Sequence, residues 1–89
     1  MSDKILVLVL EIRENTKGGN LKAFADVKIG EIVIKDFRIV QQKGQKAWVS
    51  VPQLSYQSEA GETYYKPMVT LPDELKERVS FEVLRKWAG

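Results

Sequence analysis

Positively charged side chains recur through the middle of the chain, where they could meet successive phosphate groups. Residues 17–46 hold seven lysines or arginines against three acids, a net charge of +4, whereas the whole chain carries +2. Four of these basic residues lie on or just after one expected strand: Lys35, Arg38, Lys43 and Lys46. Phosphate contacts of this kind release counterions and make binding salt-dependent. A solvated surface is the alternative, with Arg38 paired to Asp36 on the same strand face.

A second basic group lies near the C-terminus and comprises Arg78, Arg85 and Lys86. Arg78 and Arg85 are seven positions apart, which places them on a similar face of an expected helix. Glu74 precedes Arg78 by four positions and Glu82 precedes Lys86 by four, a spacing that favours surface ion pairs. These residues are therefore candidates for phosphate contact whose charge such pairs would partly neutralise.

Aromatic side chains could add stacking on nucleic-acid bases, which is worth roughly 1–3 kcal/mol per base. Tyr56 is the best candidate because its surroundings are uncharged and polar. Trp48, Tyr64 and Tyr65 are further candidates, although rings of this size more often fill a core or an interface.

Most catalytic chemistry is excluded by composition, because the chain has no cysteine and no histidine. Disulfides, thiolate or histidine metal sites, and cysteine or Ser-His-Asp nucleophiles are therefore absent. Asp73 and Glu74 are explained by the start of a helix, and Glu59 and Glu62 flank a turn. We expect no enzyme activity, no catalytic residue, no metal, no cofactor and no small-molecule substrate.

The elements that carry these residues predict an α+β domain with a mostly antiparallel five-stranded sheet and a C-terminal helix. At 89 residues the chain has room for one core, so residues 1–89 form a single domain. The expected strands are residues 4–12, 21–29, 31–40, 47–51 and 63–69. Residues 53–62 are expected to form a loop.

The pattern within the strands predicts their exposure. Residues 4–12 are apolar without alternation, which suits a strand covered on both faces, although a buried helix of the same length fits the pattern as well. The turn at residues 15–20 predicts a hairpin with residues 21–29, which alternate and should be half-buried. Residues 31–40 are expected to form a strand with apolar and charged side chains on both of its faces. Strict alternation places Phe37 and Ile39 on the same face as Val33, and Ile34 on the opposite face.

The C-terminal helix has both ends marked. Pro72 suits its first position, and Asp73 and Glu74 favour the positive end of its dipole, as Arg85 and Lys86 favour the negative end. The apolar stripe that should face the sheet consists of Leu75, Val79, Val83, Leu84 and Trp87.

The only long apolar run near the N-terminus, Ile5 to Leu10, is too short for a signal peptide or for a membrane helix of roughly 20 residues. We therefore expect a soluble, cytoplasmic protein with no membrane partner. The apolar first strand and Leu54, Val83 and Trp87 favour self-association into a homodimer.

Residues 21–52, LKAFADVKI…IVIKDFRIV…AWVSVP, resemble the stage V sporulation protein G (SpoVG) family of bacterial septation and gene-regulatory proteins. The most specific part is Asp36-Phe37-Arg38-Ile39-Val40 leading to Val49-x-Val51-Pro52. The resemblance continues through Gly61-Glu62, Pro67 and the helical pair Val83-Leu84, so it spans nearly the whole chain.

This resemblance implies a homodimeric α+β protein that binds DNA or RNA and acts in regulation, linked to septation or sporulation. In the family, basic residues after the strand-four proline and on the C-terminal helix are thought to meet nucleic acid. Here the segment after Pro52, QLSYQ, has no positive charge. This departure, with the acidic stretch 59–77, motivates the alternative of a protein–protein interaction module of the same fold.

Overall fold

The computed structural model describes residues 5–89 and has an antiparallel sheet, a separate two-stranded hairpin and a C-terminal helix. The elements, in chain order, are β1 (Val7–Glu14), β2 (Leu21–Ile29), β3 (Ile32–Val40), β4 (Trp48–Ser50), β5 (Gln53–Gln57), β6 (Thr63–Pro67) and α1 (Asp73–Ala88). Strands β1 to β4 pair in sequence order, and β5 pairs with β6. The α+β class with antiparallel sheets and a final helix is confirmed.

The expected single five-stranded sheet is wrong, because the chain leaves the sheet after β4. Pro52 follows soon after β4 and has no N–H to donate to a ladder. Beyond it, the segment expected to be a loop forms β5 and pairs with β6 in register Tyr56↔Tyr64. We call residues 53–67 the arm. All of β6 and most of β5 are exposed. The two strands are therefore held by their pairing with each other, and their sequences show no alternation of buried and exposed residues from which a strand could be predicted.

The hairpin of β1 and β2 is confirmed, with Gly18 and Gly19 at positive φ in its turn. The first strand begins at Val7; Lys4, where it was expected to begin, lies outside the described residues. Its expected coverage on both faces is wrong, because β1 is an edge strand whose Leu8 and Leu10 are exposed.

Strand β3 contains an irregularity at Asp36 that changes which residues share a face. Ala25 pairs with Phe37 and Val27 with Ile34, so β3 has one residue more than β2 between these pairs. Asp36 has a φ of 67° there. The extra residue brings Ile34 to the core together with Phe37 and Ile39. The expected mixed faces are therefore wrong, because strict alternation does not hold across a bulge.

The core lies between one face of the sheet, which we call the inner face, and α1. Its buried residues are Val7, Ala23, Ala25, Val27, Ile29, Phe37, Ile39, Val79 and Val83. The helical stripe is confirmed: Val79 and Val83 are buried, and Leu75, Leu84 and Trp87 pack against them. Pro72 precedes the helix as its N-cap, and its carbonyl accepts a hydrogen bond from the Lys76 N–H at 2.9 Å.

The opposite face of the four-stranded sheet, which we call the outer face, has no helix over it among residues 5–89. Within the same residues, no helix is long and apolar enough to cross a membrane.

Candidate nucleic-acid interface

An aromatic and basic surface occupies the end of the outer face that adjoins the β3–β4 loop. Arg38 on β3 lies between Phe24 on β2 and Ser50 on β4 in the ladder. Its guanidinium carbon is 6.0 Å from the centroid of the Phe24 ring. Trp48 pairs with Val40 and is 43% exposed. Because Val40 and Arg38 are two positions apart on β3, Trp48 shares their face. We call Phe24, Arg38 and Trp48 the platform.

The β3–β4 loop brings Lys43 and Lys46 to the start of β4, and both are exposed. The loop is held by backbone and side-chain hydrogen bonds. The Gln41 N–H donates to the Asn20 carbonyl at 2.8 Å, and the Gln41 side chain donates to the Gln45 carbonyl at 3.0 Å. Gly44 adopts a φ of 77° in the turn between the two lysines. The two ammonium groups are therefore carried on an anchored loop directly before Trp48.

Beside the platform, Arg13 forms the centre of an ionic cluster. Its guanidinium donates to both carboxylate oxygens of Asp26 at 2.8 and 3.0 Å, to Glu11 at 2.8 Å and to Asp36 at 2.6 Å. These hydrogen bonds, the one to Asp26 foremost, raise the pKa of Arg13 above its usual range. In residues 5–89, no group of three or more acidic side chains is arranged to hold a metal ion.

Asp26 is buried, and its carboxylate is kept ionised mainly by Arg13. The hydrogen bond from Arg13 lowers the pKa of Asp26, against the opposing effect of burial, and the N–H of Asp36 also donates to it at 3.2 Å. The charge of Lys35 acts in the same direction, so this exposed lysine lies near the cluster and close to acids.

The expected pairing of Arg38 with Asp36 is wrong. Asp36 belongs to the Arg13 cluster, because the bulge turns it toward β1 and β2, whereas Arg38 lies over Phe24. The Arg38 guanidinium therefore lies on the outer face, and none of the salt bridges found in residues 5–89 involves it.

The basic residues of α1 lie on the other side of the sheet from the platform, because α1 covers the inner face. Arg85 donates to Glu82 at 2.6 Å and lies over the Phe81 ring at 5.9 Å. The expected pairs Glu74–Arg78 and Glu82–Lys86 do not occur among the salt bridges of residues 5–89. Glu82 forms its salt bridge with Arg85 instead of Lys86. Arg78 is half-buried, and Lys86 is exposed.

Tyr56 lies on the arm, where its ring stacks on Tyr64 with centroids 5.6 Å apart. The Tyr64 hydroxyl donates to Glu62 at 2.6 Å, which raises the pKa of Tyr64. Tyr65 is exposed as well. The stacked pair of the arm therefore has a carboxylate bound to one of its rings, whereas Trp48 directly follows the loop that carries Lys43 and Lys46.

The structure thus places Arg38 on the outer face and Lys43 and Lys46 in the loop that adjoins the same end of the sheet, whereas the α1 residues lie on the other side of the sheet and Tyr56 lies on the arm. Phe24 is not among the residues predicted from the sequence, since the alternation of residues 21–29 places it only on the side of β2 that faces away from the core. The position of Phe24 opposite Arg38 follows from strand register, which the sequence leaves undetermined.

No family model matches the chain, and no curated protein matches it. Membership of the SpoVG family stays a prediction from the residues quoted above.

Proposed function

We propose that the protein is a SpoVG-like, cytoplasmic regulatory protein that binds DNA or RNA as a homodimer. The observation that carries the proposal is the platform with its anchored lysines: Arg38, Lys43 and Lys46 adjoin the exposed Trp48 on a sheet face that no described element covers. The remaining candidate contacts are Lys35, Arg78, Arg85, Lys86 and Tyr56. By resemblance, the regulation would concern septation or sporulation.

Self-association is supported by exposed aliphatic side chains at the other end of the outer face. Leu6, Leu8 and Val33 are between 44% and 61% exposed. An edge strand such as β1, which exposes leucines rather than lysines, tends to pair with an edge strand of another chain. Doubling a modest basic surface across a two-fold axis raises its avidity for a long phosphate chain.

The test reverses the charge of the anchored lysines. Lys43→Glu with Lys46→Glu should weaken binding of labelled DNA and RNA about tenfold or more at about 50 mM salt, and should lower the slope of log affinity against log salt by about 2. Fluorescence anisotropy at about 50 and 200 mM salt measures both quantities.

The matched control is Lys66→Glu with Lys76→Glu, which makes the same charge change on the exposed arm and at the start of α1. It should keep most of the affinity, and sedimentation should give the same dimer for both variants. Equal affinities for the two variants would refute the assignment of the loop.

A protein–protein interaction module is the second candidate, and the arm favours it. The arm and the residue after it expose Leu54, Tyr56, Tyr64, Tyr65 and Met68. Exposed aromatic and aliphatic side chains of this kind are typical of protein interfaces. A pull-down that recovers one protein partner, together with no binding to DNA or RNA at low salt, would favour this second function.

A further inference from the structure

We propose that the platform binds single-stranded nucleic acid by stacking unpaired bases on Phe24 and Trp48. The inference rests on the proposed nucleic-acid function and specifies its ligand. It depends on the outer face of the sheet, where two aromatic side chains and one arginine are held by strand pairing rather than by a flexible loop.

The spacing of the two rings suits separate nucleotides of one strand. Phe24 on β2 and Trp48 on β4 are two strands apart and one side-chain row apart along the strands. Strand geometry puts them roughly 12 Å from each other, too far for a single base to cover both. Arg38 lies on β3 between them, with its guanidinium over the half-buried Phe24 ring. A base that stacks on Phe24 takes the place of this guanidinium, which can then meet the adjoining phosphate.

The charges around the platform favour a phosphate chain running toward the loop. Lys43 and Lys46 are exposed in the loop before Trp48. On the other side of the platform, Arg13 is shared by the carboxylates of Glu11, Asp26 and Asp36, so that side keeps a net negative charge and repels phosphate. A strand that stacks on Trp48 therefore continues onto two lysines. Aromatic rings that alternate with basic groups are the usual construction of single-strand sites.

A duplex fits this surface poorly. Its bases are stacked on one another, so their faces are closed to a protein ring, and a four-stranded sheet is too wide for a major groove of about 12 Å, which admits a helix or a two-stranded ribbon. Of the two elements narrow enough to enter one, α1 presents Glu74, Glu77 and Glu82 beside Arg78 and Arg85, and the arm carries Glu59 and Glu62 against Lys66. These acids would lie against phosphates.

The experiment uses the full chain with Trp87→Phe, which leaves Trp48 as its single tryptophan. Titration with twelve-nucleotide single strands of dT or U should quench the Trp48 emission, because a base stacks on the indole. The same sequences paired in duplexes should bind about tenfold more weakly and cause little quenching.

Two substitutions then test the rings by anisotropy in the chain with its natural Trp87. Trp48→Leu and Phe24→Leu should each weaken single-strand binding about 5- to 150-fold, the loss expected for one stacked base. The matched control is Phe81→Leu on α1, since Phe81 is exposed and also lies beneath an arginine. It should leave the affinity unchanged.

The outcomes separate this inference from the proposed function. Salt-dependent binding with unchanged Trp48 emission and unchanged affinity of Trp48→Leu would refute the platform and leave nucleic-acid binding standing. A preference for duplexes would refute it in the same way. Protection of Trp48 from acrylamide in the free protein would refute it as well, because a covered indole cannot stack on a base. Absence of any binding would overturn both proposals.

Discussion

At the scale of residues, Arg13 links β1 to β2 and β3 through carboxylates. Asp26 is the buried member, and both of its oxygens and the backbone N–H of Asp36 are engaged in hydrogen bonds. Glu11 and Asp36 are exposed members at the rim. Loss of the ion pair with Arg13 would lower folding stability strongly at buried Asp26 and little at exposed Glu11. Substitutions at the two positions should therefore have different effects on the free energy of unfolding.

Asp26→Asn should lower the free energy of unfolding by about 1–3 kcal/mol at pH 7. Because the folded-state pKa of Asp26 is depressed, its contribution is fully present above the unfolded pKa of about 4 and is lost as the pH falls through the folded value. The difference between the natural chain and the variant should therefore shrink below about pH 4.

Urea unfolding at pH 7 and at successive lower pH values measures this difference. Glu11→Gln is the control and should change the free energy of unfolding by less than about 0.5 kcal/mol, since Glu11 is exposed. A difference for Asp26→Asn that stays constant down to pH 2 would contradict the role of its ionised form.

At the scale of elements, the bulge in β3 decides which side chains reach the core and which remain on the outer face. Asp36 is the only non-glycine residue with positive φ in residues 5–89. Residues other than glycine, asparagine and aspartate are strained in this left-handed region of backbone conformation. The bulge also turns Asp36 toward Arg13, so backbone conformation and ion pairing agree at this position.

Replacing Asp36 by Gly and by Ala isolates the backbone contribution, because both variants lose the contact with Arg13. The Gly variant should be more stable than the Ala variant by about 1 kcal/mol, since only Ala carries a Cβ in the left-handed region. Chemical denaturation of the two variants measures the difference.

The control is the same pair of substitutions at Val33, which lies in the regular part of β3. There Ala should be more stable than Gly by about 0.5–1 kcal/mol, because extended backbone suits both and glycine loses more entropy. The same order at both positions would contradict a left-handed bulge at Asp36.

At the scale of the whole molecule, the arm makes the protein elongated. Its extents are 51 × 29 × 20 Å, and its radius of gyration is 14.2 Å, against roughly 12 Å for a globular chain of this length. The sheet and α1 share a core, whereas β5 and β6 bury little beyond their own pairing. An isolated two-stranded hairpin is only marginally stable in water.

We therefore expect the arm to open separately from the domain. Native-state hydrogen exchange should show faster exchange for the amides of β5 and β6 than for those of β2 and β3. Phe37→Ala should cost about 3–5 kcal/mol of unfolding free energy because it leaves a core cavity, and Tyr64→Ala about 1 kcal/mol or less.

Measuring exchange at several protein concentrations provides the control. Arm protection that rises with concentration would indicate cover by a second copy. Protection of β5 and β6 equal to that of β2 in the dilute protein would contradict separate opening.

The sequence by itself determined the elements whose signals are local. The alternation of residues 21–29, the Gly18-Gly19 turn and the stripe Val79–Val83 predicted β2, the first hairpin and α1, and each is present. These patterns need only a few neighbouring residues, because side-chain period and turn chemistry act over short distances. Arg38, Lys43 and Lys46 were also visible as charges on and after one expected strand, but their neighbours across the sheet were not.

Only the tertiary structure decided how these pieces meet. The pairing of β5 with β6, the bulge at Asp36 and the meeting of Arg38 with Phe24 all depend on strand register between distant segments. Register is set by the summed packing of whole strands, and one extra residue reverses every face beyond it. For this reason the sequence predicted which residues were charged or aromatic, whereas the fold decided which of them share a surface.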